Sequence, residues 1–325
     1  MAFSPDKRIS LGKTGLSVSP ICFGTSGIGD MPETYGYSVS EERAYDTVRA
    51  IFDSSVNFLD SSRNYGTGRS EERIGHVIRE RGGLPKDFVI STKLDRDFKT
   101  NAFDASRARR SLEESLKALG VDQIQLLHLH DPEHANSLSE ITAKGGAIDE
   151  LFKMKEQGLA KAVGLAAGNV DIMLPILKEF PFDALITHNR FTPVNHNAAA
   201  MMDYAHSKGI AVLNAAPYAG GVFAKGTANY QRYAYQIAND AMLNPVRKVE
   251  EICAKHGVAT GPVALQYSMR DPRISATICG VSKAERVRET IEWANTSIPD
   301  SVWQELALLD VTKDDPEATR QYVLG

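Results

Sequence analysis

Eight short apolar runs, each followed by a longer segment, are the feature of this sequence that most limits its fold. The runs carry little polar alternation, as is typical of parallel strands that are buried on both faces. They cover residues 20–24, 56–59, 88–92, 124–129, 161–165, 184–187, 210–213 and 275–279. Strand followed by helix, repeated eight times, predicts a parallel sheet with right-handed crossovers that can close into a barrel.

Helical patterns fill most of the intervals between these runs. Ser38-Val39-Ser40-Glu41 has the spacing of a capping box, and an apolar stripe follows it. Ser70 is expected to cap the next helix, and Gly120 is expected to end the helix after that. Helices are predicted at residues 107–119, 146–156, 170–179, 198–208 and 283–294.

Three segments lie outside the repeat. Residues 8–19 are predicted to form a small hairpin ahead of the barrel, and a last helix is expected around residues 301–309. Residues 218–243 form a long polar and aromatic segment, and a loop of this length in a compact domain is usually functional. No linker or break in composition divides the chain. We therefore predict one domain over residues 1–325, an α/β fold of the (β/α)8 TIM-barrel type with an N-terminal β-hairpin and extra C-terminal helices.

Composition excludes several classes of protein. With 42% hydrophobic residues the chain can bury one large core, and its net charge of −4 without a Lys/Arg cluster argues against nucleic-acid binding. No apolar run approaches the length of a membrane span, and the first ten residues lack the apolar run of a signal peptide. Three scattered cysteines predict neither disulfides nor a metal site, and favour a reducing compartment such as the cytoplasm.

A glycine-rich turn, Gly24-Thr25-Ser26-Gly27-Ile28-Gly29, follows the first predicted strand. It superficially resembles the phosphate-binding fingerprint of doubly wound sheets. No helix is expected before Ser38, however, so these glycines are not expected to open a helix N-terminus. We therefore do not expect a phosphate cradle at this turn.

Titratable residues occur at the ends of three consecutive predicted strands. Asp60 ends the second strand and is followed by Tyr65, Lys93 ends the third, and His130 ends the fourth. The carboxyl ends of the strands carry the active site in β/α barrels. His128 lies on the same strand face as His130, and we expect it to be a buried residue beneath the site.

These four residue types suit proton exchange at a phenol. A free tyrosine titrates near ~10, and a nearby lysine ammonium is expected to lower that pKa by favouring the phenolate. A carboxylate can hold the lysine, and a histidine can share the proton or polarise a substrate oxygen. The set predicts a tyrosine that takes a proton from an alcohol, or gives one to a carbonyl, while hydride moves.

Five short motifs in order make the chain resemble the aldo-keto reductase family over nearly its whole length. They are Gly24-Thr25, Phe58-Leu59-Asp60-Ser61-Ser62 with Tyr65-Gly66, Ser70-Glu71-Glu72, Ser91-Thr92-Lys93 and Leu129-His130-Asp131-Pro132. The resemblance implies that Tyr65 is the general acid/base, that Lys93 and Asp60 tune it, and that His130 orients the substrate or relays a proton. It also implies that NAD or NADP lies extended across the barrel mouth.

Cofactor contacts are implied by the same resemblance. Asn169 is expected to hold the carboxamide, and His188 stands where many members carry a glutamine. Asn214-Ala215-Ala216-Pro217 stands where many members stack an aromatic ring, and it resembles the aldose 1-dehydrogenase branch, to which pyridoxal 4-dehydrogenase is also similar. The implied contacts are Gly24, Thr25, Asn169, His188, Ala215, Pro217, Gly280, Ser282, Arg286 and Glu289.

The adenosine end indicates a cofactor preference. Gly280 stands where NADP-preferring members usually carry a basic residue. Arg286 can meet a phosphate or the adenine face, whereas Glu289 would repel a phosphate if it points inward. These residues favour NAD over NADP.

The function implied by the resemblance is oxidation of a sugar or another small polar alcohol, most simply an aldose to its lactone. Two enzymatic alternatives remain, a general NADPH-dependent aldehyde or ketone reductase and a pyridoxal 4-dehydrogenase. A non-enzymatic alternative is a nicotinamide-binding regulatory subunit, because the β-subunits of voltage-gated potassium channels resemble the same family. The substrate is expected to be a small molecule, and the oligomeric state is left open.

Overall fold

Eight parallel strands close into a barrel in the computed structural model, which describes residues 7–321. The strands are β3 (Ile21–Gly24), β4 (Phe58–Asp60), β5 (Val89–Leu94), β6 (Ile124–His130), β7 (Ala160–Ala166), β8 (Ala184–His188), β9 (Ala211–Ala215) and β12 (Ile274–Gly280). Each pairs in parallel with its sequence neighbour in the barrel, and β12 closes the ring against β3. The predicted barrel is confirmed, and each predicted run overlaps an observed strand.

Helices surround the barrel, and most of the crossovers between its strands contain a helix, as predicted. Their bounds are α1 (Pro32–Tyr35), α2 (Glu41–Phe52), α3 (Arg69–Glu80), α4 (Ala105–Leu119), α5 (Leu138–Thr142), α6 (Ala147–Glu156), α7 (Val170–Glu179), α8 (Ala199–Lys208), α9 (Val222–Lys225), α10 (Asp240–Lys255), α11 (Thr260–Arg270), α12 (Ala284–Asn295) and α13 (Asp300–Leu306). The last of these confirms the expected extra C-terminal helix. The long helices α10 and α11 lie between the seventh and eighth barrel strands, where no helix was assigned from the sequence.

Two predicted helix caps are wrong. Ser40, not Ser38, caps α2, since its side chain accepts a hydrogen bond from the backbone N–H of Arg43. Gly68 precedes α3 with a left-handed φ of 106°, so Ser70 lies inside the helix rather than at its start. The buried Ser70 hydroxyl instead bonds to the backbone oxygen of Thr25 at 3.0 Å, which ties α3 to the turn after β3. Tertiary contact therefore overrides the local capping signal.

The turn after β3 is more ordered than predicted. A 3-10 helix, Ser26–Gly29, and the short α1 both precede α2, so the expectation of no helix before Ser38 is wrong. A Cβ added to Gly29 would lie 2.8 Å from the carbonyl carbon of Tyr65. Only glycine permits this close approach. The loop that contains Tyr65 therefore packs directly against the turn after β3.

Two small hairpins lie outside the barrel sheet. The predicted hairpin is confirmed as β1 (Ile9–Ser10) paired with β2 (Ser17–Val18), and its side chains Leu11, Leu16 and Val18 join the apolar interior of the barrel. The long segment 218–243 is not an open loop, because it contains α9 and a second hairpin, β10 (Arg232–Tyr233) with β11 (Gln236–Ile237). Within residues 7–321, no helix has both the length and the apolar character that a membrane crossing requires.

Two apolar layers hold the structure together. One fills the barrel, with inward side chains such as Cys22, Phe58 and Leu126, and the other lies between the strands and the helices. Cys22 and Cys279 lie on adjacent strands but face opposite layers. Both thiols are buried and unpaired, which is consistent with a packing role.

Candidate active site

The four predicted catalytic residues meet at the carboxyl ends of β4, β5 and β6. The buried Lys93 Nζ lies 2.7 Å from Asp60 Oδ2, 2.6 Å from the carbonyl oxygen of Ser61 and 3.2 Å from the Tyr65 hydroxyl. The ring of Tyr65 meets that of His130 edge to face, with 6.1 Å between centroids. The sequence pattern therefore located a real cluster, in which Lys93 contacts both Asp60 and the phenol.

The charge balance at Tyr65 differs from the expectation. Burial, followed by the Asp60 carboxylate, raises the pKa of Tyr65 well above its ordinary value of 10.0. Because Asp60 forms an ion pair with Lys93, the ammonium does not act on the phenol as an isolated cation. The expected lowering of this pKa is therefore wrong for the protein without cofactor. The phenol keeps its proton at neutral pH.

Two carboxylates lie beside the His130 ring, one near each ring nitrogen. Its Nδ1 lies 2.6 Å from Asp95 Oδ1, and its Nε2 lies 3.6 Å from Asp131 Oδ1. Burial opposes the imidazolium, but Asp131 and Asp95 outweigh it and raise the pKa of His130 above 6.5. Sequence reasoning missed Asp95, although it lies two residues after Lys93 at the same strand end, a spacing that directs both side chains to one face.

His128 lies beneath the site, as expected. It is fully buried, and neither of its ring nitrogens has a hydrogen-bond partner among the described residues. Burial lowers the pKa of His128 well below its usual value, so the ring is neutral. A Cβ on Gly164 would overlap this ring, which explains the small residue on the neighbouring strand.

A cavity of about 440 Å³ opens onto Tyr65, Lys93 and His130 and extends across the barrel mouth. Six of the expected cofactor contacts line it. They are Gly24, His188, Ala215, Gly280, Ser282 and Arg286.

The other four expected contacts lie outside the cavity walls. Thr25 donates its hydroxyl to the backbone oxygen of Asp60 at 2.9 Å, inside the fold. Asn169 caps α7, its side-chain oxygen accepting from the N–H of Asp171 at 3.0 Å. Pro217 is buried, and Glu289 forms an ion pair of 2.6 Å with Arg286. Asn169 therefore lies outside the cavity walls, and its side-chain oxygen is bonded to the start of α7.

Several cavity residues were not found from the sequence. The cations are Arg43, Lys225, Lys283 and Arg320, and the aromatic residues are Tyr35, Tyr37 and Trp293. Tyr218, Tyr230 and Tyr235 also line the cavity, in agreement with the functional role expected of the segment 218–243. Arg43 illustrates the reason. It lies on α2 and donates from Nε to the backbone oxygen of Ser282 at 2.7 Å, a contact made only because the barrel closes β12 against β3.

The C-terminal segment contributes Arg320 to the cavity wall and contacts a second cavity residue, His188. The largely buried Glu317 carboxylate lies 2.9 Å from His188 Nδ1, 3.1 Å from Arg190 Nη1 and 2.6 Å from Arg320 Nη1. Burial works against its charge, but His188 and Arg190 outweigh it and hold the pKa of Glu317 far below its usual value. Glu317 thus fixes both His188 and Arg320, two of the cavity residues.

The cavity residues fit an extended nicotinamide dinucleotide. One end of the cavity lies beside Tyr65, and another part is lined by Arg43, Lys283 and Arg286, whose charges suit phosphate groups. No cluster of potential metal ligands occurs among residues 7–321.

A family model described as "Aldo/keto reductase family" matches residues 20–310. The chain belongs to the aldo/keto reductase family. It is therefore an NAD(P)-dependent oxidoreductase, and the members of this family use a nicotinamide cofactor.

Individual relatives of this aldo/keto reductase agree with the family match. It is 30% identical to an L-galactose dehydrogenase of Arabidopsis thaliana, over 87% of this chain and 86% of that protein. It is 26% identical to a pyridoxal 4-dehydrogenase of Microbacterium luteolum, over 94% of this chain and 98% of that protein. The holo form of an aldo-keto reductase from Bacillus halodurans has the same fold, with a TM-score of 0.75 at 18% identity, covering 97% and 99% of the two chains.

Proposed function

We propose that this aldo/keto reductase is an aldose 1-dehydrogenase, which oxidises the anomeric carbon of a small sugar to a lactone. The observation that carries the proposal is the polar lining around Tyr65, which includes Asp131, Arg320, Tyr35 and Tyr235. Such a lining offers donors and acceptors for several hydroxyl groups, together with ring faces for the C–H bonds of a sugar. The likeness to an L-galactose dehydrogenase supports the same class.

In the proposed reaction, a nicotinamide cofactor held by the cavity residues would supply the acceptor for the hydride that leaves the anomeric carbon. The Tyr65 oxygen accepts the proton of the anomeric hydroxyl. Lys93 Nζ donates a hydrogen bond to that oxygen at 3.2 Å. His130 orients the substrate oxygen from the other side of the phenol. Oxidation needs Tyr65 without its proton. Because the pKa of the phenol is raised, the oxidation rate should rise with pH, whereas reduction should be favoured near neutrality.

We propose Tyr65, Lys93, Asp60 and His130 as the catalytic group, with the six cavity residues named above as cofactor contacts. NAD is the proposed cofactor, because Glu289 pairs with Arg286 and reduces the positive charge available to a 2′-phosphate. Arg43 and Lys283 line the same part of the cavity and act in the opposite direction. The Glu289→Gln variant therefore tests the balance, and the ratio of kcat/KM for NADP to that for NAD should increase in it.

A second candidate is pyridoxal oxidation, which one structural feature favours. Tyr35 and Tyr235 meet edge to face above the site, with centroids 5.9 Å apart, and such rings can pack against a planar aromatic substrate. The likeness to a pyridoxal 4-dehydrogenase points the same way.

The substrate test is a set of initial rates with NAD and NADP over aldoses, pyridoxal and simple aldehydes. We expect the highest kcat/KM for an aldose with NAD, accompanied by lactone formation. Turnover of pyridoxal alone would favour the second candidate, and turnover of simple aldehydes with NADPH alone would favour a general reductase.

The remaining proposals concern organisation and location. We propose that residues 1–325 form one domain, because the described barrel strands extend from Ile21 to Gly280 in a single closed sheet. The three described cysteines are all unpaired, which supports a location in the reducing cytoplasm. Limited proteolysis tests the first proposal, and cell fractionation tests the second.

A further inference from the structure

Asp95 contacts His130 from the side that faces away from the cavity. Its carboxylate is 1% exposed and does not line the cavity, whereas Asp131 on the other side of the ring does. The distance from Asp95 Oδ1 to His130 Nδ1 is 2.6 Å. Asp95 therefore contacts a residue of the site without reaching the space where a substrate binds.

The surroundings of Asp95 keep it ionised. Its Oδ2 accepts hydrogen bonds from the Ser62 hydroxyl at 2.7 Å and from the backbone N–H of Asn64 at 3.0 Å. Burial raises its pKa, but His130 and these donors outweigh burial and bring the pKa below its usual value. An ionised carboxylate only accepts hydrogen bonds, so the Nδ1 of His130 must carry the proton that the two groups share.

We propose that Asp95 is a positioning residue that fixes His130 as the Nδ1–H tautomer and directs Nε2 toward the substrate oxygen. The kinetic consequence depends on the proposed function, whereas the tautomer does not. With Nδ1 occupied, Nε2 accepts a proton when the ring is neutral and donates one when the ring is charged. Asp95 itself touches no substrate and acts through His130.

The charge of His130 depends on every group that faces its ring. Asp131 lies 3.6 Å from Nε2 on the cavity side, and Ser62 Oγ lies 3.2 Å from Nδ1. The other charged or titratable groups acting on or packed against the ring are Lys93, Tyr65, His128 and His134. Removal of Asp95 leaves Asp131 as the one carboxylate in contact with the ring among the described residues.

The direct test is NMR of the imidazole nitrogens in 15N-histidine-labelled protein, with His130 assigned by comparison with His130→Asn. In the wild type we expect the neutral ring to carry its proton on Nδ1 and to titrate above the ordinary ~6.5. In Asp95→Asn the titration should move down by roughly one pH unit or more, as expected when an adjacent opposite charge is lost. Asp97→Asn is the matched control, since Asp97 lies two residues further along the chain, does not line the cavity and accepts from the N–H of Thr100.

The kinetic test compares the same variants with a substrate that is turned over. In Asp95→Asn, kcat should fall roughly 10-fold or more with a smaller change in KM, and the limb of the pH profile due to His130 should move with the NMR titration. Asp97→Asn should leave both unchanged.

Two results would overturn the inference. One is an Nε2–H tautomer in the wild type, a measurement that remains available if Asp95→Asn does not fold. The other is an unchanged titration of His130 in a folded Asp95→Asn. If no tested aldose is oxidised but the tautomer and the titration are as expected, the proposed function fails and the role of Asp95 is supported.

Discussion

Glu71→Gln is expected to remove a pH dependence from the stability of the fold. Glu71 lies on α3, is fully buried, accepts the Thr92 hydroxyl at 2.6 Å and lies 3.3 Å from Arg63 Nη1. Burial raises its pKa from 4.5 to about 7 despite these partners. Glutamine keeps the shape of the side chain and an oxygen that can accept from Thr92, so the substitution removes mainly the charge.

The magnitude follows from the difference in proton binding between the folded and unfolded states. Between pH 4.5 and about 7 the folded protein keeps the Glu71 proton and the unfolded chain loses it. The free energy of unfolding therefore falls as pH rises through this window, by about 3 kcal/mol from this group. Above pH 7 the full cost of burying the charged Glu71 side chain remains, and below pH 4.5 this cost vanishes.

The assay is urea unfolding of the wild type and Glu71→Gln between pH 4.5 and 8. The difference between the two proteins cancels the other titrating groups, and it should shift in favour of the variant by about 3 kcal/mol across the window. Glu72→Gln is the control, because Glu72 is exposed and lies 3.8 Å from the same Arg63 nitrogen. Parallel stability profiles for the wild type and Glu71→Gln would refute the argument.

Four other substitutions test contacts at the site and the packing of α3 against α4. Tyr65→Phe should lower kcat by roughly 10²-fold with cofactor affinity unchanged in a fluorescence titration, and near-normal turnover would exclude its acid/base role. Lys93→Met should move the alkaline limb of the pH profile upward, because Asp60 then faces the phenol without its cation, and an unchanged limb would contradict the 3.2 Å contact. Gly75→Ala should cost roughly 1–3 kcal/mol in unfolding experiments, because its Cβ would overlap the backbone oxygen of Ala118, and wild-type stability would show that α3 and α4 can separate. Glu317→Gln should raise KM for the substrate more than it lowers kcat, because Arg320 and His188 lose a shared partner, and unchanged steady-state kinetics would rule that out.

The residues around Lys93 show how much of the site could be predicted from the sequence. Strand side chains alternate, and the carboxyl ends of parallel strands meet at one mouth, so Asp60, Lys93 and His130 were brought together by local pattern alone. Asp95 obeys the same rule. It was missed because a carboxylate just beyond a strand has no local sign that distinguishes a buried partner of histidine from a solvated loop residue.

Other features depended on groups distant in the chain. The caps at Ser38 and Ser70 were predicted from local spacing, but Ser40 caps α2. Gly68 precedes α3, and Ser70 bonds to Thr25 from inside that helix. Likewise, the pKa of Tyr65 was predicted from one neighbour, whereas burial decides its direction. Desolvation is a property of the packed molecule, and a residue list does not contain it.

The sequence by itself determined the eight strands, most of the crossover helices, the barrel and the four groups at its mouth, because hydrophobic period and strand parity are local properties. Only the tertiary structure decided which side chains line the cavity. Arg43 reaches Ser282 through closure of the barrel, and Glu317 reaches His188 through the return of the C-terminal segment. Such contacts join residues more than a hundred positions apart, and their geometry is set by how the whole chain packs, which no local pattern encodes.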